Sequence, residues 1–302
     1  MNRRNFIRQT AAGTAWLTLG SAGVELLSEN EVHLTILHTN DVHSYVDPFP
    51  ANHPKFAGRG GVARRAQLIA DIRTENPNTL LFDAGDIFQG TPYFNFYGGE
   101  LEFKLMSLMR YDLATLGNHD FDNGIDGLVA QLPHANFDFV SANYDFSNTI
   151  LEGKVAPYKI LKKAGLRIGV FGLGINLLGL VDKKLYKETK YLDPIEITEE
   201  TVRILRQKRC DLIVCLSHLG FEYTTDPNRI SDRKLAAATD GIDLIIGGHT
   251  HTFLEKPVVA ENRNGQKVVI NQTGCYGVNL GRIDFYFSRN GKKVLDGRSI
   301  QI

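Results

Sequence analysis

The 302-residue sequence predicts an α/β fold with a mixed arrangement of β-strands, and two observations support this prediction. Short β-type runs alternate with stretches of helical spacing over residues 32–246, as in parallel βαβ units. The region after residue 250 breaks the alternation, because β-type runs there flank Asn264-Gly265 and Asn290-Gly291, which are typical hairpin turns. We therefore expect one domain over residues 31–302 in which parallel strands are joined by antiparallel hairpins.

The first half of this region begins with a strand over residues 32–37. A helix is predicted over 61–75 because Val62, Leu68 and Ile72 recur at helical spacing. The other elements predicted in this half are strands at 79–82 and 112–116 and a helix at 100–109.

The second half continues the alternation and then turns to hairpins. Its first predicted strand covers 167–173. The remaining predicted elements are strands at 211–216 and 242–246, helices at 198–208 and 231–238, hairpin strands at 257–260 and 267–270, and a last strand at 281–287 before the turn at 289–291.

Composition indicates an ordinary globular protein. The chain is 43% hydrophobic, and 34 basic residues balance 34 acidic ones. The basic residues come in scattered pairs and form no continuous stripe, which argues against a nucleic-acid partner. The three cysteines, Cys210, Cys215 and Cys275, are an odd number and indicate buried thiols, with no disulfide framework.

Residues 1–30 form a separate region in this interpretation. Arg3-Arg4 is followed by Phe6 and by a weakly apolar stretch, 10–24, rich in Ala, Gly and Thr. This order resembles a twin-arginine export signal, which implies a periplasmic or otherwise exported protein. The stretch is too short and too polar for a stable membrane span.

Five polar motifs each follow a predicted strand directly. The carboxyl ends of parallel strands meet at one edge of a sheet, where open α/β folds build their sites. Two bound metal ions are the simplest explanation for so many ligand-type side chains at that edge. The motifs are Asp41-Val42-His43, Gly85-Asp86, Gly117-Asn118-His119-Asp120, Ser217-His218 and Gly248-His249-Thr250-His251.

The spacing within the motifs suits chelation. Asp41 and His43 are two residues apart, so both side chains project to one side and reach a single ion, and His249 and His251 share this spacing. Gly85 before Asp86 permits a sharp turn that offers the Asp86 carboxylate between two cations. Each motif alone also has a structural interpretation, since Gly-Asp is a common turn and a histidine after a buried strand is often only hydrogen-bonded. Their combination favours a metal site.

The chemistry of the ligands restricts the metal and the substrate. Three oxygen ligands, four imidazoles and no thiolate suit Zn²⁺, Mn²⁺, Fe or Co better than Ca²⁺ or Cu(I). Two divalent cations against the carboxylates of Asp41 and Asp86 leave a charge of about +2, or about +1 with a bound hydroxide. Such a site favours a phosphate dianion over a neutral substrate.

The motifs at 34–43, 85–91, 116–122, 217–220 and 245–251 together resemble the 5′-nucleotidase branch of the calcineurin-like metallophosphoesterases. The resemblance covers roughly residues 32 to 290, with the five motifs in the family's order. It implies a four-layer αββα sandwich in which two mixed β-sheets pack between helices. It also implies an enzyme that hydrolyses phosphate esters by attack of a metal-bridging hydroxide.

The resemblance also implies a role for each polar side chain. His119 would face the substrate and stabilise the transition state, with Asp122 three residues later orienting its imidazole. Asp120 is a poorer partner for His119, because alternation across the turn should direct it away. One metal would be held by Asp41, His43, Asp86 and His251, and the other by Asp86, Asn118, His218 and His249.

Larger members of the branch carry a second, C-terminal domain that supplies the nucleoside pocket, and this chain ends where that domain would begin. Three functions therefore stay open: a phosphomonoesterase acting on nucleotides or similar small esters; a phosphodiesterase, nucleotide-sugar pyrophosphatase or sulfur-ester hydrolase; or a metal-bound partner for a separately encoded nucleotide-recognition domain. Arg59, between Gly58 and Gly60, either reaches a substrate anion or has a structural role in its loop. The aromatic residues over 93–97 either line the mouth of the site or pack in the core.

Overall fold

Two six-stranded β-sheets form the centre of the computed structural model, which describes residues 31–288 and 291–302, with the side chains of 291–295 left aside. Residues 32–302 form one compact unit. The predicted export signal over residues 1–30 lies outside the described residues, so both it and the domain boundary stay predictions.

The first sheet combines parallel and antiparallel pairs. Its strands lie in the order β14-β13-β1-β2-β3-β4. β1 pairs parallel with β2 and antiparallel with β13. The strands span Val32–Thr39 (β1), Thr79–Asp83 (β2), Leu113–Ala114 (β3), Asp138–Phe139 (β4), Asn279–Ser288 (β13) and Gly291–Gln301 (β14).

The second sheet has four central parallel strands and an antiparallel strand at each edge. Its order is β11-β12-β10-β9-β7-β6. The strands span Tyr158–Lys163 (β6), Leu166–Leu173 (β7), Leu212–Ser217 (β9), Leu244–Gly247 (β10), Val258–Glu261 (β11) and Lys267–Asn271 (β12), and a small separate pair is formed by Tyr144–Asp145 (β5) and Lys190–Tyr191 (β8).

Helices connect the strands. The helix that begins at Pro194 is capped by the Asp193 carboxylate, which accepts hydrogen bonds from the amides of Ile195 and Glu196. The described α-helices span Val62–Glu75 (α1), Pro92–Tyr97 (α2), Glu100–Leu108 (α3), Gly124–Gln131 (α4), Lys183–Tyr186 (α5), Pro194–Gln207 (α6) and Asp232–Ala238 (α7).

Three apolar layers hold the sheets and helices together. Side chains such as Ile36 on β1 and Val214 on β9 are fully buried in a cluster shared by the two sheets. Alternate residues point outward: Leu37 joins a cluster with the helices α1, α3 and α4, whereas Cys215 joins a cluster with α6 and α7. The architecture is therefore helix, sheet, sheet, helix, and the four-layer αββα fold implied by the family resemblance is confirmed.

Most predicted elements are present, with shifted ends. The run at 112–116 forms only the two-residue strand β3, whereas α6 begins four residues before the predicted start at 198 because of its Asp193 cap. Both predicted hairpins are present as β11–β12 and β13–β14. All three cysteines are free thiols; Cys215 and Cys275 are buried and Cys210 is partly exposed. Among the described helices, none is long and apolar enough to cross a membrane.

Candidate metal centre

The polar motifs that follow β1, β2, β3, β9 and β10 converge at one edge of the two packed sheets. The loop after β1 runs beside the loop after β2, because the Asp41 amide donates to Gly85 O at 2.9 Å and the His43 amide donates to Asp86 O at 3.1 Å. From the second sheet, the His249 amide donates to both carboxylate oxygens of Asp41, at 3.0 and 3.1 Å. These bonds join motifs that lie more than 200 residues apart in the chain.

The backbone is strained at most of the candidate ligands. Left-handed φ angles are unfavourable for residues with a side chain and cost on the order of 1–3 kcal/mol each. Their concentration at this edge indicates that the fold holds these side chains in fixed directions. The φ values are 50° at Asp41, 51° at His43, 56° at Asp86, 70° at His249 and 50° at His251.

Two glycines allow the motifs to approach one another. A Cβ at Gly117 would lie 2.2 Å from Asp86 Oδ1, and a Cβ at Gly248 would lie 2.7 Å from His218 Nδ1. Both distances are far below van der Waals contact, so any larger residue would push a candidate ligand away. The glycines in these motifs are therefore required by the closeness of the ligands.

The first group of donors consists of Asp41, His43 and His251. One ligand atom from each lies within 4.8 Å of the others. The Nε2 atoms of His43 and His251 are 3.1 Å apart, and His251 Nε2 is 3.3 Å from Asp41 Oδ1. This is the geometry of side chains arranged around one small cation.

The second group consists of Asp86, His218 and His249, again with ligand atoms within 4.8 Å of one another. Asn118 joins it, because its Oδ1 lies 2.9 Å from His249 Nδ1. Asp86 Oδ2 is 3.1 Å from His218 Nε2 and 3.8 Å from His43 Nε2, so the Asp86 carboxylate lies between the two groups. The structure thus brings all seven predicted ligands together.

The outer nitrogens of two histidines are held by backbone carbonyls. His43 Nδ1 lies 3.2 Å from Phe88 O, and His218 Nδ1 lies 2.7 Å from Ala84 O. Donation from Nδ1 leaves the Nε2 lone pair directed into the site, as in metal-bound histidines. His218 Nε2 is buried and lies 3.1 Å from Asp86 Oδ2 and 4.0 Å from Asp41 Oδ1. A buried imidazole nitrogen that faces two carboxylates fits a divalent cation.

The carboxylates of the site shift the pKa values of its imidazoles and favour bound positive charge. Burial lowers the pKa of His218, but the carboxylates of Asp86 and Asp41 outweigh it and raise the value to about 10. The pKa of His251 is likewise raised to about 10, against the effect of burial, chiefly by its hydrogen bond with Asp41. His249 differs, because burial and the charge of His218 lower its pKa to about 4. Metal ions would replace the protons that His218 and His251 otherwise retain.

His119 lies beside the two groups. Its backbone amide donates to Asp86 Oδ1 at 2.8 Å, and its Nδ1 is 2.8 Å from Asp122 Oδ2. The side chain is 37% exposed, whereas that of His43, 5.3 Å away between ring centroids, is only 6% exposed. The hydrogen bond with Asp122 is the main cause that raises the pKa of His119. His119 therefore lies at the partly exposed margin of the two groups and is paired with Asp122.

The sequence reasoning missed Asp120, which it considered only as a partner for His119. The buried Asp120 carboxylate accepts hydrogen bonds from the amides of Asp86, Ile87, Phe88 and Gly117, at 2.8–3.2 Å. Burial raises its pKa to about 7, with the charge of Asp86 acting in the same direction and the amide hydrogen bonds opposing it. Asp120 thus ties the loop after β2 to the loop after β3.

Asn40 was also missed and supports Asp41 from behind. Its Nδ2 donates to Asp41 Oδ2 at 2.6 Å and to Gly274 O at 2.7 Å. Its Oδ1 accepts hydrogen bonds from the amide and hydroxyl of Thr273. The side chain of Asn40 is buried. The one signal in the sequence that could have indicated this role is the position of Asn40 directly before the candidate ligand Asp41.

Two weaker sequence predictions stay predictions. Arg59 donates to Asn279 Oδ1 at 2.9 Å and lies 5.7 Å from the centre of the Phe56 ring, which is the structural role considered for it. In α2, Phe94 packs in the core whereas Phe96 is 82% exposed, and a place for this aromatic run at the mouth of the site stays a prediction.

Comparison with known proteins agrees with the family resemblance of the sequence motifs. The sequence profile of the calcineurin-like phosphoesterases matches residues 34–253. The snake venom 5′-nucleotidase of Crotalus adamanteus is 34% identical over 86% of this chain and 46% of its own length.

Two solved structures are also similar. The 5′-nucleotidase precursor of Thermus thermophilus has a TM-score of 0.79 and 34% identity, over 90% of this chain and 55% of the other. The NAD nucleotidase of Haemophilus influenzae has a TM-score of 0.76 and 27% identity, over 91% of this chain and 51% of the other. The chain spans about half the length of these relatives.

The Asp120 contacts generate a stability prediction. Asp120→Ala leaves four buried amides without an acceptor and should lower the free energy of unfolding by at least about 3 kcal/mol. Thermal and urea unfolding measure this. The matched variant Asp122→Ala, in which a partly exposed carboxylate is removed, should cost about 1 kcal/mol or less. Equal stability of Asp120→Ala and the wild type would contradict the role given to Asp120.

Proposed function

The chain belongs to the calcineurin-like phosphoesterase family, and from this premise we propose that it is a phosphomonoesterase that hydrolyses nucleotides or similar small phosphate esters with two divalent metal ions. One observation carries the proposal. Two adjoining groups of ligand atoms have the Asp86 carboxylate between them, and the His119–Asp122 pair lies on their open side. This combination of a dinuclear site and an adjacent cationic imidazole is suited to phosphoryl transfer.

The metal ions would be held as the ligand geometry suggests. Asp41, His43 and His251 would hold one ion, and His218, His249 and Asn118 the other, with Asp86 shared by both. The donor set suits Zn²⁺, Mn²⁺, Fe or Co. Two such ions would neutralise the phosphoryl oxygens and lower the pKa of a water molecule to supply the nucleophile.

His119 and Asp122 would stabilise the charge that develops during the reaction. Asp122 accepts a hydrogen bond from Nδ1–H and raises the pKa of the imidazole, so that Nε2–H would be available to donate to a phosphoryl or leaving-group oxygen. The backbone hydrogen bond from His119 to Asp86 fixes the imidazole relative to the metal ligands. The proposed role of this pair is therefore electrostatic stabilisation combined with proton donation.

The names of the relatives support nucleotides as the substrate class. They are 5′-nucleotidases, and one of the similar structures is an NAD nucleotidase. The relatives extend well beyond the region that this chain matches, and we further propose that a nucleotide-recognition domain supplies the nucleoside pocket. In that arrangement this chain contributes the metal centre and the reacting groups.

A hydrolysis screen of the purified chain tests the proposal. Mn²⁺, Zn²⁺ and Co²⁺ are combined with nucleoside monophosphates, cyclic nucleotides, nucleotide sugars and bis-nitrophenyl phosphate, and released phosphate or nitrophenol is measured. Turnover of monophosphates above the other substrates is expected. A preference for diesters or pyrophosphates would contradict the monoesterase, and no turnover at all would favour a metal-bound partner for another protein.

Two substitutions distinguish the role of the His119 imidazole from that of the metal ligands. His119→Ala should lower kcat by on the order of 10²-fold or more, because it removes a donor to the transition state. Its metal content, measured by mass spectrometry, should equal that of the wild type. Asp86→Ala should lose both metal ions, since its carboxylate lies between the two groups. Loss of metal in His119→Ala would contradict its assignment as a group outside the metal ligands.

The His119–Asp122 hydrogen bond predicts a shift in the pH profile. Asp122 raises the pKa of His119, so the protonated form persists at higher pH and is lost as the pH rises through that value. In Asp122→Asn the pKa falls, and the alkaline limb of kcat/KM should move to lower pH. The control Asp126→Asn changes an exposed carboxylate paired with Lys187 and should leave the profile in place. An unshifted alkaline limb in Asp122→Asn would refute the proposed pairing.

We also propose that residues 1–30 direct export through the twin-arginine pathway, which delivers folded proteins. Arg3-Arg4 followed by a weakly apolar stretch supports this. Replacement of Arg3 and Arg4 by Lys should leave the protein in the cytoplasm in a fractionation experiment, with the unaltered chain as reference. Continued delivery of the double variant to the periplasm would exclude this pathway.

A further inference from the structure

The side chain of Tyr223 is held in place beside the second group of candidate ligands. The Tyr223 hydroxyl donates to Leu219 O at 2.7 Å, and a Cβ at Gly220 would lie 2.5 Å from that hydroxyl. The amide of Phe221 donates to Thr250 Oγ1 at 3.0 Å. These contacts fasten the segment after β9 to the motif after β10 and leave the Tyr223 ring 6.5 Å from the His249 imidazole, between centroids.

Arg229 stacks on this ring. Its guanidinium carbon lies 4.4 Å from the centroid of the Tyr223 ring. Its backbone is held at both ends, because Lys234 Nζ donates to Arg229 O at 2.9 Å and the Arg229 amide donates to Asp226 O at 3.1 Å. A guanidinium stacked on an aromatic face keeps its N–H edges free to bind an anion in a bidentate manner.

Arg229 has no acidic partner in the part of the chain that the structure describes, where its side chain contacts the Tyr223 ring. Arg233 on α7 provides the contrast. It also lies over an aromatic ring, that of Phe221, but its Nη1 is 3.6 Å from Glu222 Oε2. One arginine of this surface therefore has an acidic partner, whereas the half-buried Arg229 has none among the described residues.

The position of this charge is unfavourable in the absence of an anion. Two divalent ions against two carboxylates would make the centre positive, and Arg229 is one side chain away from the candidate ligand His249. A second cation held near a positive centre is stabilised when an anionic group binds between or beside them. Because only the Tyr223 ring separates the guanidinium from His249, a second anionic group of a bound substrate would have a cation available beside the centre.

We propose that Arg229, stacked on Tyr223, is a specificity residue that binds a second anionic group of the substrate, such as a second phosphate group of a small phosphate ester that is not itself hydrolysed. The inference rests on the proposed phosphoesterase function. It assigns Arg229 to the part of the substrate that does not react, and it predicts that diphosphate compounds bind more tightly than their monophosphate counterparts.

Binding of two non-hydrolysable compounds tests this without turnover. Methylenediphosphonate and methylphosphonate are titrated into the Mn²⁺-loaded full chain, and their dissociation constants are measured calorimetrically together with the metal content of each variant. Arg229→Ala should weaken methylenediphosphonate by about tenfold, as expected for a lost charge-assisted hydrogen bond, and methylphosphonate by less than about twofold. Arg229→Lys should give an intermediate loss of affinity, because lysine keeps the positive charge but cannot bind the anion in a bidentate manner.

The matched control is Arg233→Ala, which removes an arginine four residues away that already has an acidic partner and should change neither constant. Equal weakening of both phosphonates in Arg229→Ala, equal effects of the two alanine variants, or no binding of the diphosphonate to the wild type would overturn the inference. Failure of the wild type to hydrolyse any ester refutes the proposed function alone, because the phosphonate constants still decide the role of Arg229.

Discussion

The carboxylate of Asp120 is the contact on which the candidate site depends most. It is fully buried and satisfies amides of the loops that follow β2 and β3. The amides of Asp86 and Ile87 both donate to it, and these bonds hold the loop in which Asp86 has a left-handed φ of 56°. The strain at Asp86 is thus balanced by hydrogen bonds to a carboxylate that is buried behind the candidate ligands.

The two-sheet architecture provides the frame for this contact. Apolar faces of both sheets pack against each other, so the carboxyl ends of β1, β2 and β3 meet those of β9 and β10. Each sheet contributes only part of a ligand set. The bonds from the His249 amide to Asp41 then fix one half relative to the other. Asp41, His43, Asp86 and Asn118 follow strands of the first sheet, whereas His218, His249 and His251 follow strands of the second. Each of the two groups of candidate ligands therefore combines residues from both sheets.

The cationic and imidazole side chains around the centre differ in their burial and in their acidic partners. His218 and His43 are deeply buried among carboxylates and suit metal ions, whereas His119 is more exposed and paired with Asp122. Arg229 lies further out, stacked on Tyr223 and without an acidic partner among the described residues. Side chains that can carry positive charge therefore lie beside the candidate ligands as well as among them.

The sequence alone determined the α/β class, the hairpins and the seven candidate ligands, because these are written in local periodicity, in turn residues and in polar motifs that end apolar runs. The roles of His119 and Asp122 came from the family resemblance of the motifs, not from the residue pattern itself. The roles of Asp120, Asn40 and Arg229 depended on tertiary structure, because each acts on a partner distant in sequence or on a particular ring stacking. Local pattern predicts which side chains reach a strand end, whereas only the packing of two sheets decides which amides, carbonyls and charges surround them there.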